Sequence, residues 1–132
     1  MGFNRGLNKI VKGQNKLCDS AIKTNNYNIY ITCLGGYGGN ALLNGFKNAR
    51  GANNYKWIGS HDDIYMLARS EAHVNYLLPS ACNNKEEYIN CTKKIIQEEE
   101  VDLFIPKSDM ELCILASELG SLKCRTFLPD SL

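Results

Sequence analysis

The sequence predicts an α/β domain: a Rossmann-like three-layer fold with a five-stranded parallel sheet between two layers of helix. Three observations predict it. Short β-branched and aromatic runs alternate with stretches of helical periodicity from Asn28 onward. Two of those runs, Tyr55–Ile58 and Val101–Ile105, read as strands covered on both faces. The first run stops in a knot of glycines, Gly35, Gly36, Gly38 and Gly39, where a strand would turn into a helix.

Taken in order, Asn28–Leu34 is the first strand, ended by Gly35 and Gly36. Residues Asn40–Arg50 place Leu42, Leu43, Phe46 and Ala49 on one helix face, with Gly51 as the stop. Tyr55–Ile58 is the second strand, and Asp62–Ala72 a helix with Ile64, Leu67 and Ala68 inward. His73–Leu78 is the third strand, closed by Pro79. Residues 85–100 form the clearest helix, with Tyr88, Thr92, Ile95 and Ile96 inward and Glu98, Glu99 and Glu100 on a solvated face. Val101–Ile105 is the fourth strand and Asp109–Leu119 a helix with Leu112, Leu115, Ala116 and Leu119 inward. Arg125–Leu128 is the fifth strand. Right-handed crossovers then give the order 3-2-1-4-5, with a topological switch beside the first strand.

The chain has 132 residues, 44% hydrophobic and 22% charged, the composition of one ordinary globular domain. A net charge of +1 provides no field for nucleic acid or a membrane, and no apolar run is long enough to span a bilayer. Residues 1–26 form a basic Asn/Lys-rich N-terminal extension, with five basic groups against one acid, and residues 27–132 the α/β domain. The six cysteines form no C-x-x-C pair, so they read as reduced, mostly buried thiols of a cytoplasmic protein. The basic extension leaves a mitochondrial transit segment as the second reading of localisation.

The turn Gly36-Tyr37-Gly38-Gly39-Asn40-Ala41 matches G-x-G-x-x-A. Glycines allow close approach of backbone to an anion, and a helix start offers unpaired N–H groups. The turn therefore suits a phosphate or carboxylate; a tight strand-to-helix turn with no ligand is the alternative. It is not a P-loop, since no Lys-Ser or Lys-Thr follows. A dinucleotide site needs an acid after the second strand, where this chain has Ser60, His61 and then Asp62. Asp62 would fill that role by a register shift, or Ser60 with Asp63 would instead cap the next helix. In the fourth loop Ser108 and Glu111 fit a capping box, while Lys107, Asp109 and Glu111 are placed to face a ligand. His61 is a candidate contact and His73 a surface residue. No catalytic residue and no metal-ligand cluster stands out.

Asn28–Asn40, Trp57–His61, Tyr76–Pro79, Glu87–Ile89 and Val101–Pro106 with Asp109 and Glu111 together resemble the pre-ATP-grasp domain. This N-terminal Rossmann-like domain precedes the ATP-grasp module in carbamoyl phosphate synthetase large subunits and related carboxylate–amine ligases. The resemblance covers residues 28–131. It implies that ATP and magnesium sit mainly in the ATP-grasp module, in cis or in trans. This domain would then close one side of the cleft and help hold a small anionic substrate, with Gly36, Tyr37, Gly38, Gly39, Asn40, Asp109 and Glu111 facing it. The family commonly has Asp at the end of the second strand; His61 stands here, with Asp62 next. The chain stops at Leu132, about where that module would start, so it is not expected to catalyse ligation alone. A homodimer is compatible with all of this. A free-standing nucleotide-binding module of the NAD(P)-dependent oxidoreductase type is the alternative, as is a non-enzymatic binding protein using the basic extension.

Overall fold

The computed structural model describes residues 7–11, 27–49 and 54–126. The strands are β1 (Asn8–Val11), β2 (Tyr27–Ile31), β3 (Tyr55–His61), β4 (Val74–Leu77), β5 (Leu103–Ile105) and β6 (Arg125–Thr126). The helices are α1 (Tyr37–Lys47), α2 (Ile64–Ala68), α3 (Lys85–Glu98) and α4 (Asp109–Ala116), with a 3-10 turn at Leu119–Ser121. The sheet is mixed and mostly parallel, in the order β1-β4-β3-β2-β5-β6. This corrects the expectation of five strands. The sixth, β1, comes from the basic extension and pairs antiparallel with β4, Lys9 opposite Tyr76. The other five strands are mutually parallel and run β4-β3-β2-β5-β6.

Two cores follow from the two-residue period of the strands. Tyr30, Ile58, Val74, Tyr76 and Phe104 point to one face, against Tyr88, Ile95 and Ile96 of α3 and Ile114 and Leu115 of α4. Ile29, Ile31, Trp57 and Ile105 point to the other, against Leu43 of α1. The middle strands are thus buried on both faces, which is why they lack alternation. Tyr30 stacks on Phe104 with centroids 4.8 Å apart, which ties the two central strands together.

Several element boundaries and faces differ from the sequence reading. β3 continues to His61 because Gly59 is a packing residue. A Cβ there would lie 2.6 Å from Leu34 Cδ1 and 2.8 Å from Asn75 Oδ1. Ser60 is therefore a buried strand residue that accepts a hydrogen bond from the Tyr30 hydroxyl (2.8 Å), not a helix cap. Asp63 caps α2 instead, accepting from Tyr65 N (2.7 Å) and Met66 N (3.3 Å). In α2 only Leu67 is buried, and in α4 the inner residues are Glu111, Ile114 and Leu115. Ala49 is exposed, and Gly51 and Leu128 lie outside the described residues. None of the described cysteines is fully buried; Cys82 and Cys113 are exposed.

The largest correction concerns the acidic run. Glu99 is buried, its side chain 2% exposed, and pairs with both Lys9 and Lys56 at 2.5 Å. The Tyr76 hydroxyl also donates to it. Asn28 Nδ2 donates to the carbonyls of Glu99 and Glu100 (2.9 and 3.0 Å), fastening the end of α3 to the start of β2. Among the described residues, no helix is long and apolar enough to cross a membrane.

Candidate functional site

Four loops leave the carboxyl ends of β2, β3, β4 and β5 at one edge of the sheet. Between them lies an open crevice of about 130 Å³. Cys33, His61, Asp62, Ser80, Tyr88 and Glu111 are among the polar residues that line it. This is the switch-point edge of an open α/β sheet, where strand neighbours diverge to either side of β2.

The glycine-rich turn forms one rim. Cys33 takes φ +54° and Gly35 φ +96°, turning the chain sharply out of β2. The left-handed backbone at a non-glycine costs about 1 kcal/mol. Two glycines are required by packing. A Cβ on Gly35 would lie 1.7 Å from Met66 O, and one on Gly39 would lie 2.4 Å from Cys33 O. The other two have no such reason. A Cβ on Gly36 would make an ordinary 3.7 Å contact, and one on Gly38 would meet only the tip of Lys107, at 2.8 Å. Helix α1 starts without a side-chain cap and without an acid in its first turn.

Asn40 braces this turn rather than opening toward a ligand. Its Oδ1 accepts from Gly35 N (3.2 Å) and its Nδ2 donates to Arg69 O (3.1 Å). Tyr37 stands out from the start of α1, 88% exposed, with the Arg69 guanidinium 5.6 Å from its ring centroid. Lys107 leans over Gly38, and no carboxylate among the described residues pairs with it.

Glu111 is the best-anchored residue of the site. It is 7% exposed and accepts four hydrogen bonds. Oε2 takes Thr32 Oγ1 (2.5 Å), Ser108 N (3.1 Å) and the Cys33 thiol (3.6 Å), and Oε1 takes the Tyr88 hydroxyl (2.8 Å). The Ser108 contact is the capping box expected at the start of α4. Burial, and then the Glu111 charge, push the Cys33 thiol up to about 12, so it stays protonated and unreactive at neutral pH. Asp109 is exposed in the first turn of α4 and does not line the crevice.

His61 ends β3 and accepts from Asp63 N through Nδ1 (3.0 Å), with Asp62 Oδ1 also 3.0 Å away. His73 Nδ1 accepts from Trp57 N (2.9 Å) outside the site; burial, then the nearby Lys47 and Lys56, hold its pKa below the usual histidine value.

Apart from Asp109, the sequence-predicted residues thus fall into two groups. His61, Asp62 and Glu111 line the crevice, whereas Gly36, Tyr37, Gly38, Gly39, Asn40 and Lys107 build the rim outside it. The crevice lining has two carboxylates and neither lysine nor arginine. The crevice lining therefore carries negative charge, and the cation nearest the glycine turn, Lys107, lies outside it. Sequence reasoning missed Thr32, Cys33 and Tyr88. A threonine closing an otherwise apolar strand was the available signal, because a buried hydroxyl needs a partner. Among the described residues, no group of three or more His, Cys, Asp or Glu is arranged to hold a metal ion.

No protein-family model matches this chain, and no curated protein matches it.

Proposed function

We propose that this domain is the substrate-side, N-terminal domain of an ATP-grasp carboxylate–amine ligase of the carbamoyl phosphate synthetase kind, and that its rim holds a small anionic group. The observation that carries the anion reading is Lys107 over Gly38. An unpaired ammonium sits against the positive end of α1, a repulsion on the order of 0.3–1 kcal/mol. An anion bridging the two turns that cost into attraction. The free N–H groups of the first turn and the missing Cβ atoms of Gly36 and Gly38 leave room for it.

The carboxyl-edge crevice by itself is small for ATP. The crevice is about 130 Å³, whereas sites that enclose a ligand of that size run from roughly 300 to 1,000 Å³. The described residues also offer no metal-ligand cluster. On this reading nucleotide and metal belong to an ATP-grasp module that closes over the rim, and the chain's own residues bind and orient the anion and exclude water. The rim supports that closure. Tyr37, Ile64, Tyr65, Met66 and Met110 are all exposed at helix starts around the carboxyl edge of the sheet, an apolar collar suited to a second domain.

The test is an NMR titration of the labelled chain with inorganic phosphate, ATP and NADH at constant ionic strength. Phosphate is expected to shift the Gly36, Gly38 and Gly39 amides, and Lys107→Gln to weaken binding about tenfold. No shift at these amides in tens of millimolar phosphate removes the anion site. Saturation by NADH in preference to phosphate and ATP replaces the ligase reading with the dehydrogenase one. The absence of both an ATP-grasp segment in the same reading frame and a ligase partner in the cell removes the ligase assignment.

A further inference from the structure

The number of donors on Glu111 exceeds what its place in α4 requires. A capping box asks only that it accept from Ser108 N. Here Thr32, Cys33 and Tyr88 donate to it as well, from the end of β2 and from α3. Four neutral donors converge on one carboxylate, and no cation among the described residues pairs with it. Both carboxylate oxygens are used as acceptors, Oε2 three times and Oε1 once. A carboxamide keeps only one of these two acceptor atoms.

The Thr32 hydroxyl extends the network to the rim. It donates to Glu111 Oε2 at 2.5 Å and accepts from Lys107 N at 2.9 Å. Thr32 and Cys33 lead directly into the glycine turn, and Lys107 and Ser108 lead directly into α4. One buried carboxylate therefore ties together the two loops that face each other across the rim. The strained φ of Cys33 is held within the same network.

We infer that Glu111 is a positioning residue: through the Thr32 hydroxyl it fixes the Lys107 loop against the Gly36–Gly39 turn, and so sets the geometry of the anion site without touching the anion. The binding arm of this inference rests on the anion reading above; the coupling itself does not.

The test uses Thr32→Val, which removes the relay, Thr32→Ser, which keeps it, and Glu111→Gln. In the ligand-free chain, hydrogen exchange is followed at the amides of Lys107, Ser108 and the first turn of α1. Thr32→Val is expected to raise exchange at all three places, and Thr32→Ser at none. A change confined to Lys107, which merely loses its acceptor, overturns the coupling. With inorganic phosphate as the probe, folded Thr32→Val and Glu111→Gln are expected to bind about tenfold more weakly than the parent, and Thr32→Ser equally well. Parent-like affinity in folded Thr32→Val overturns the positioning role. If Glu111→Gln does not fold, Thr32→Val decides. If the parent fails to bind phosphate, the anion reading falls while the exchange data still decide the coupling.

Discussion

Replacing Glu99 by glutamine removes the charge that fastens β1 to the sheet. Burial pushes this carboxyl up, but hydrogen bonds from Lys56, Lys9 and Tyr76, with the Lys56 charge, outweigh it and hold the group at about 2. Against an ordinary value of 4.5, that corresponds to about 3 kcal/mol of stability at neutral pH. A second route gives a similar figure. Breaking a buried ion pair costs roughly 3–5 kcal/mol, and the low end applies here because Lys9 and Lys56 are 43% and 41% exposed and regain water. For a chain of this length the loss lowers Tm by about 10 °C. The sign with pH follows from the depressed value. The contribution is complete above the unfolded carboxyl value of 4.5 and disappears as pH falls through about 2. Urea melts of parent and Glu99→Gln from pH 7 to pH 2 should therefore converge, from about 3 kcal/mol apart to nearly equal. The Asn8–Val11 amides should lose exchange protection in the variant at neutral pH. A gap that stays constant with pH, or one under about 1 kcal/mol at pH 7, refutes the reasoning.

The glycines of the turn separate packing from binding. Gly35→Ala places a Cβ 1.7 Å from a backbone oxygen at positive φ and should cost more than about 3 kcal/mol in thermal melts. Gly38→Ala meets only a flexible lysine tip, so Tm should hold or rise slightly, by about 0.5–1 kcal/mol of helix propensity, while phosphate affinity falls. Equal Tm losses in the two variants would contradict this. Thiol labelling followed by site-resolved mass spectrometry at pH 8 should modify the exposed Cys82 and Cys113 well before Cys33, whose thiol stays protonated. Rapid labelling of Cys33 would show that it leaves the Glu111 network.

Much of the architecture was legible because strand periodicity and breakers act locally. Ile29, Tyr30, Trp57 and Phe104 declare buried strands by residue type, and the Ser108–Glu111 cap is written within four positions. What escaped was non-local. β1 is four residues from a basic stretch, and only its pairing with β4 and the ion pair from Lys9 to Glu99, ninety positions apart, makes it a strand. Gly59 read as a strand end because its actual reason, contact with Leu34, Ala72 and Asn75, lies in three other segments. At the site, the glycine turn and the fourth loop were each recognisable as candidates. That Asn40 is consumed as a brace depended on Gly35 and Arg69, and that Asp109 stays out of the crevice lining is not written in the local pattern either.

The two buried acids show why residue type alone misassigns roles. Glu99 and Glu111 both lie on or beside solvent-facing helical patterns, and both are withdrawn from water. Glu99 is matched by two cations from different strands, so its charge is spent on holding the amino edge together. Glu111 is matched only by neutral donors, so its charge is distributed over hydrogen bonds and the lysine beside it, Lys107, stays unpaired. Had Lys107 reached Glu111, the ammonium over Gly38 would be neutralised and the proposed anion site would lose that attraction. On the proposed reading, it is this difference between a buried acid neutralised by lysines at one edge and a lysine left unpaired at the other that assigns anion binding to the carboxyl edge.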